Sequence, residues 1–161
     1  MTTLKVCQIG CGYWGPNLMR NLDAHPRADL AGICDIDEAT RAKFSQLYPD
    51  ARLYESLDDV LLDDKIEAVI IATPSGMHVD QTSRALAAKK HVLVEKPLAE
   101  TVSDATKLHE AARAVDRTHA RELRRRVRQK DVSGAPQCGQ NLFQYGGFRE
   151  ITTNCDHVLI F

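Results

Sequence analysis

The segment Gly10-Cys11-Gly12-Tyr13-Trp14-Gly15, with its GxGxxG spacing, narrows the choice of fold more than any other stretch of the chain. The spacing alone is weak, and its setting makes it informative. Leu4-Lys5-Val6-Cys7-Gln8-Ile9 precedes it as a short, mainly apolar strand. Pro16 to about His25 follows as a helix, with Pro16 suited to the first turn. Between a strand and a helix each glycine has its own task. Gly10 permits a tight turn, Gly12 lets a phosphate approach the main chain, and Gly15 lets the helix pack close to the strand. The helix N-terminus then offers free N–H groups and a partial positive charge to an anion.

The rest of the first 115 or so residues continues the alternation. Ala28 to Cys34 reads as a strand and Asp37 to Tyr48 as a helix. Arg52-Leu53-Tyr54 is a short strand, and Ser56 opens a short helix with an acidic first turn that runs through Leu62. Glu67 to Ala72 is apolar on both faces, as suits the middle of a parallel sheet. Ser75 to Lys89 is a helix, His91 to Glu95 a strand, and Ser103 to Val115 a helix with Leu108, Ala111, Ala112 and Val115 on one stripe. Strict alternation of this kind predicts an α/β fold, a doubly wound parallel sheet with right-handed crossovers.

Twenty residues beyond Gly15, Asp35 directly follows the second strand. A carboxylate at that spacing accepts hydrogen bonds from the adenosine ribose of a dinucleotide. Its charge repels a 2′-phosphate, so NAD is expected over NADP, although Arg41 is near enough in sequence to soften the repulsion. The plain alternative is that Asp35 only caps the next helix. A methyltransferase also joins a glycine loop to an acidic residue after its second strand. It wants GxGxG, and Gly15 argues against it.

Composition limits the remaining choices. The chain of 161 residues has a hydrophobic fraction of 43% and a charged fraction of 27%, as in globular proteins. It holds no apolar run long enough to span a bilayer and no signal-peptide pattern after Met1, so a cytoplasmic location is expected. Cys7, Cys11, Cys34, Cys138 and Cys155 include no CxxC pair, which argues against a disulfide framework or a metal site. Cys7 and Cys34 lie in apolar runs and are expected to be small buried hydrophobes.

Ligands of open α/β sheets lie at the carboxyl ends of the strands. Ala72-Thr73-Pro74-Ser75-Gly76-Met77-His78 and Glu95-Lys96-Pro97 reach that edge. Together with GCGYWGPN (Gly10–Asn17), the segments ATPSGMH (Ala72–His78) and VEKPLA (Val94–Ala99) resemble the N-terminal domain of the Gfo/Idh/MocA oxidoreductases. The resemblance covers residues 4 to about 117. It implies that Tyr13 and Trp14 of the glycine segment, with Thr73, Pro74, His78 and Glu95, line the cofactor site. It also implies that Lys96 is the catalytic lysine that contacts the substrate hydroxyl. A cation there lowers the pKa of that hydroxyl and orients it for hydride transfer. The bland readings are a solvated charge for Lys96 and a helix-entry histidine for His78. GYWGPN is similar to family members that act on nucleotide-linked sugars.

The resemblance stops abruptly. Residues 1–116 carry 13 Lys/Arg and 18 Asp/Glu, whereas residues 117–161 carry 8 and 4. Where the family has an apolar sixth strand, this chain reads His119-Ala120-Arg121-Glu122-Leu123-Arg124-Arg125-Arg126-Val127-Arg128-Gln129-Lys130. Burying that run would cost several kcal/mol for each unpaired charge. Gly134, Pro136, Gly139 and Gly146-Gly147 read as irregular structure, and Val158 to Phe161 as an apolar end with no obvious partner. The substrate domain of the family, with its D-x-x-x-H histidine, is not recognisable. A frameshift or truncation of the gene accounts for the change, and an authentic diverged tail is the rival account. The basic run lacks interleaved aromatics, so a solvated helix or disordered tail is expected rather than a nucleic-acid or membrane contact.

Residues 1–118 are therefore expected to be a Rossmann domain that binds NAD, and residues 119–161 an atypical basic tail. The expected function is hydride transfer between nicotinamide and a sugar-like or nucleotide-sugar alcohol. The alternative is a non-catalytic nucleotide-binding fragment. A nucleotide-sensing or CoA-binding module is a third reading, but it leaves Glu95-Lys96-Pro97 unexplained.

Overall fold

The computed structural model describes residues 3–114 and the strand Val158–Ile160. The arginine run, the irregular segment after it and Asp156-His157 lie outside the described residues. The elements are β1 (Leu4–Ile9), α1 (Gly15–Asp23), β2 (Ala28–Cys34), α2 (Glu38–Leu47), β3 (Arg52–Tyr54), α3 (Leu57–Leu62), β4 (Ala68–Ile71), α4 (His78–Ala87), β5 (His91–Val94), α5 (Val102–Ala114) and β6 (Val158–Ile160). The expected helix from Ser75 divides into a single 3-10 turn, Ser75–Met77, and then α4.

All strand pairs are parallel, and the order across the sheet is β3-β2-β1-β4-β5-β6. Strand alternation divides the apolar residues between two faces. Cys7, Ile9, Val69, Ile71, Val92 and Val94 point to one side, where Val60 of α3, Ala85 and Leu86 of α4, and Ala112 of α5 cover them. Val6, Ala68 and Ile70 point to the other side, under Met19 and Leu22 of α1 and Phe44 of α2. The central strands need apolar residues on both faces for this reason, which is why β4 reads as an unbroken Ala-Val-Ile-Ile run.

Helix starts follow local chemistry. Asp37 caps α2 by accepting from the Thr40 N–H at 2.9 Å, and Ser56 caps α3 by accepting from the Asp59 N–H at 3.2 Å. Thr101 and Asp104 form a reciprocal pair at the start of α5.

The strand Val158–Ile160 corrects the expectation that the apolar end has no partner. It pairs with β5 in parallel register, Val92 with Val158 and Val94 with Ile160, at the sixth-strand position. Three β-branched or aliphatic residues are enough to extend a sheet edge. The pairing joins residues more than sixty positions apart, and no local pattern reveals it.

Candidate functional site

The strand register brings the expected site residues to one edge. Ile9 pairs with Cys34 and with Ile71, and Ile71 pairs with Val94, so β1, β2, β4 and β5 end level with one another. The first residue after each strand is tied to its neighbour. Gly10 N–H donates to Cys34 O at 2.8 Å, Ala72 N–H to Ile9 O at 2.8 Å, and Glu95 N–H to Ile71 O at 2.9 Å. Gly10, Asp35, Thr73 and Lys96 thus leave the sheet side by side. The crossovers reverse direction between β1 and β4, and this reversal opens the crevice used for ligands in such sheets.

The three glycines have distinct surroundings. Gly10 has φ +81°, and a Cβ there would lie 2.8 Å from Thr73 Cγ2 and 2.9 Å from Ala72 O. A Cβ on Gly15 would lie 2.6 Å from Gly10 O, so the helix packs directly on the turn. A Cβ on Gly12 would meet nothing within 4 Å. Protein packing therefore requires two of the glycines, and Gly12 fits the close approach of a ligand. The start of α1 agrees. It has no side-chain cap and no acid in its first turn, whereas α2 and α3 have both, so no carboxylate competes with an anion there.

Asp35 is clasped to the turn. Its Oδ2 accepts from Cys11 N–H at 2.8 Å and its Oδ1 from Asp37 N–H at 3.0 Å. Each carboxylate oxygen keeps a further lone pair. The cap of α2 is Asp37, so Asp35 does not do that work. Arg41 is only 9% exposed. It donates to Asp35 O at 2.8 Å, to Ile36 O at 3.1 Å and to Glu55 Oε1 at 3.2 Å. Its guanidinium is spent on the main chain behind Asp35.

The two thiols beside the turn are held neutral. Burial, then Asp35 and Cys34, pushes the Cys11 thiol up to about 12. Burial, then Asp35 and Asp59, pushes Cys34 up to about 12 as well, against the pull of Arg41. Cys7 is raised chiefly by burial. Cys7 and Cys34 are thus the buried small hydrophobes that the sequence suggests, and Cys11 joins them.

Within the glycine segment, Tyr13 and Trp14 are exposed and meet edge to face, with ring centroids 5.6 Å apart. Pro74 is exposed, and Thr73 is half-buried with its hydroxyl 2.5 Å from Gln81 Oε1. Lys96 is exposed beside the buried Glu95, whose Oε2 accepts from the Lys96 N–H at 3.3 Å. His78 is only 1% exposed. Its Nδ1 lies 2.8 Å from Pro97 O and its Nε2 2.8 Å from Thr73 O. The imidazole faces two main-chain carbonyls, and it ties the loop after β4 to the loop after β5. Ser75 Oγ adds a second tie by donating to Glu100 Oε1 at 2.8 Å. Among the described residues no cluster of His, Cys, Asp and Glu could hold a metal ion. No described helix is long and apolar enough to cross a membrane.

Three contributors were missed from sequence: Gln8, Gln81 and Glu55. Gln8 alone left a signal, an amide inside an apolar strand. Gln81 and Glu55 sit among other polar residues, and nothing in the pattern distinguishes them.

A parallel sheet in this order, with a glycine turn and a carboxylate at its point of reversal, defines a dinucleotide-binding Rossmann domain. The chain belongs to the Gfo/Idh/MocA oxidoreductase family, whose NAD-binding Rossmann domain residues 4–122 match. The scyllo-inositol 2-dehydrogenase (NADP(+)) IolW of Bacillus subtilis is 32% identical over 111 residues, which cover 67% of this chain and 31% of the relative. An inositol 2-dehydrogenase of Leifsonia xyli subsp. xyli is 33% identical over 161 residues, covering 92% of this chain and 47% of its own. The crystal structure of GenD2 from gentamicin A biosynthesis, in complex with NAD, is 34% identical with a TM-score of 0.67, over 70% of this chain and 32% of that one. The chain thus spans between about a third and a half of the length of these relatives.

Proposed function

We propose that this domain binds NAD at the carboxyl edge of β1 and β2 and, as part of a sugar-type dehydrogenase, serves hydride transfer from an alcohol carbon. The carrying observation is the contrast among the glycines. Gly10 and Gly15 are demanded by contacts of 2.6–2.9 Å within the protein, whereas Gly12 is demanded by nothing in it and fits an approaching pyrophosphate. Asp35 accepts from the ribose hydroxyls with its remaining lone pairs. NAD is preferred over NADP because Arg41 is engaged with two carbonyls and Glu55 and is not turned toward a 2′-phosphate.

When bound, the nicotinamide supplies the hydride acceptor, and the protein supplies position and electrostatics. Thr73, Pro74 and Glu95 line the nicotinamide end, and Tyr13 and Trp14 form the exposed wall beside the glycine turn. Lys96 contacts the substrate hydroxyl, holds it in line and stabilises negative charge developing on its oxygen. The substrate class is a small sugar-like or nucleotide-linked sugar alcohol. The inositol 2-dehydrogenases among the relatives support the sugar-like class, and the GYWGPN segment supports the nucleotide-linked one.

The test is an NADH fluorescence titration of the full chain, with NADPH in parallel. Saturable binding that favours NADH is expected, with weaker binding by Asp35→Asn. Equal or tighter binding of NADPH overturns the cofactor preference. A folded chain that binds neither nucleotide overturns the function. Turnover of NAD with a panel of sugar alcohols, lost in Lys96→Ala while NADH still binds, separates the catalytic part of the reading from the binding part.

A further inference from the structure

Gln8 sits in β1 between Ile33 of β2 and Ile70 of β4, and its side chain is fully buried. A primary amide in the centre of a parallel sheet is costly to desolvate unless it is bonded. Its Nε2 donates to Gly10 O at 2.9 Å and makes a longer contact of 3.4 Å with Ile9 O. Its Oε1 has no partner among the described residues. An apolar side chain of the same length would pack there without an orphaned oxygen, so stability is a poor reason for an amide at this position.

The bond to Gly10 O acts on the glycine turn. The peptide unit joining Gly10 and Cys11 is held at both ends. Its carbonyl accepts from the Gln8 amide, and its N–H donates to Asp35 Oδ2 at 2.8 Å. The same carbonyl is the surface against which Gly15 packs. The direction of that one carbonyl therefore fixes two things: where the Cys11 N–H aims the Asp35 carboxylate, and how closely the first turn of α1 approaches.

We infer that Gln8 is a positioning residue of the dinucleotide site, setting the Gly10–Cys11 peptide plane and through it the Asp35 carboxylate and the α1 N-terminus. Gln8 touches none of the ligand-facing groups except through that peptide. The inference rests on the cofactor reading above only for its effect on affinity. Its effect on the Cys11–Asp35 bond is measurable without ligand.

The experiment uses the full chain and Gln8→Leu, with Gln8→Met as the second variant should the branched side chain prevent folding. Two quantities are read in protein shown to be folded by circular dichroism: the NADH dissociation constant, and the chemical shift of the Cys11 amide proton without ligand. A charge-assisted bond to a carboxylate moves that proton downfield. The expected result is a loss of NADH affinity of about three- to tenfold, the worth of one net hydrogen bond. The Cys11 proton is expected to move upfield, toward its position in Asp35→Asn, while the melting temperature holds or rises. Unchanged affinity overturns the inference, as does an affinity loss with the Cys11 proton unmoved. If the unaltered chain binds no NADH, the cofactor reading fails, and the Cys11 shift in the Gln8 variants still decides whether Gln8 sets the peptide plane.

Discussion

Substituting each fingerprint glycine by alanine separates folding from ligand binding. At Gly10 the added methyl group faces two penalties. The backbone at φ +81° costs an L-residue about 1–2 kcal/mol. The Cβ would sit 2.8 Å from Thr73 Cγ2 and 2.9 Å from Ala72 O, an overpacking worth about 1–3 kcal/mol more. Gly10→Ala is therefore expected to lose about 2–5 kcal/mol of stability. At Gly15 the Cβ would lie 2.6 Å from Gly10 O, a backbone atom that the Gln8 amide holds in place. That neighbour has little room to give, so Gly15→Ala is expected to lose about 1–3 kcal/mol. Gly12→Ala meets nothing within 4 Å and is expected to stay within about 0.5 kcal/mol of the parent chain.

Thermal melts followed by circular dichroism read these differences at roughly 2–4 °C per kcal/mol for a chain of this length. NADH titration of the same proteins then reads the ligand side. Gly12→Ala, fully folded, is expected to lose at least about tenfold in affinity, about 1.4 kcal/mol, because its methyl group holds the pyrophosphate off the main chain. The reasoning is refuted by a Gly12→Ala protein that melts as early as Gly10→Ala. It is equally refuted by one that binds NADH as tightly as the parent chain.

His78→Leu removes the buried ring that faces Thr73 O and Pro97 O, and with it the tie between the two loops, and is expected to lose about 1–3 kcal/mol in urea unfolding. A loss under about 1 kcal/mol would show that the tie between the two loops is dispensable. Cys11 and Cys34, pushed up to about 12, stay neutral at pH 8, so with Cys7 they are expected to resist a thiol reagent until urea unfolds the chain. Rapid modification of any of the three in the native protein, located by mass spectrometry, would contradict their burial. The same raised thiols set an alkaline limit. Their contribution is whole below the unfolded thiol value and is lost as pH rises from there toward about 12, so urea midpoints should fall over that window. Flat midpoints across it, or a smaller fall in the parent chain than in a Cys11→Ala, Cys34→Ala double variant, would refute the linkage.

Much of the architecture was legible because it is local. Residue alternation, the unbroken apolar run of β4, the Ser56 and Asp37 starts and the glycine spacing are each decided within a few neighbours, and so is the type of each strand from β1 to β5. The expectation that Cys7 and Cys34 are buried hydrophobes follows from the same strand patterning. The bounds shifted by a residue or two. The helix from Ser75 begins as a 3-10 turn because Met77 N–H donates to Pro74 O before the α-helical pattern starts at His78.

What tertiary structure decided is everything that depends on register and on long-range pairing. The sequence placed Asp35 twenty residues past Gly15. Only the level endings of β1 and β2 put its carboxylate on the Cys11 N–H. Spacing suggested Arg41 as a cation near Asp35, and the fold spent it on the carbonyls behind. The histidine of ATPSGMH was legible as a residue and invisible as a buried tie, because Pro97 O comes to it across the sheet edge from another loop. The sixth strand lay beyond local reading for the same reason, since β5 pairs with residues more than sixty positions downstream. Side-chain type and spacing are properties of the chain. Which carbonyl each donor meets is a property of how the strands align, and that alignment is set only when the whole sheet has packed.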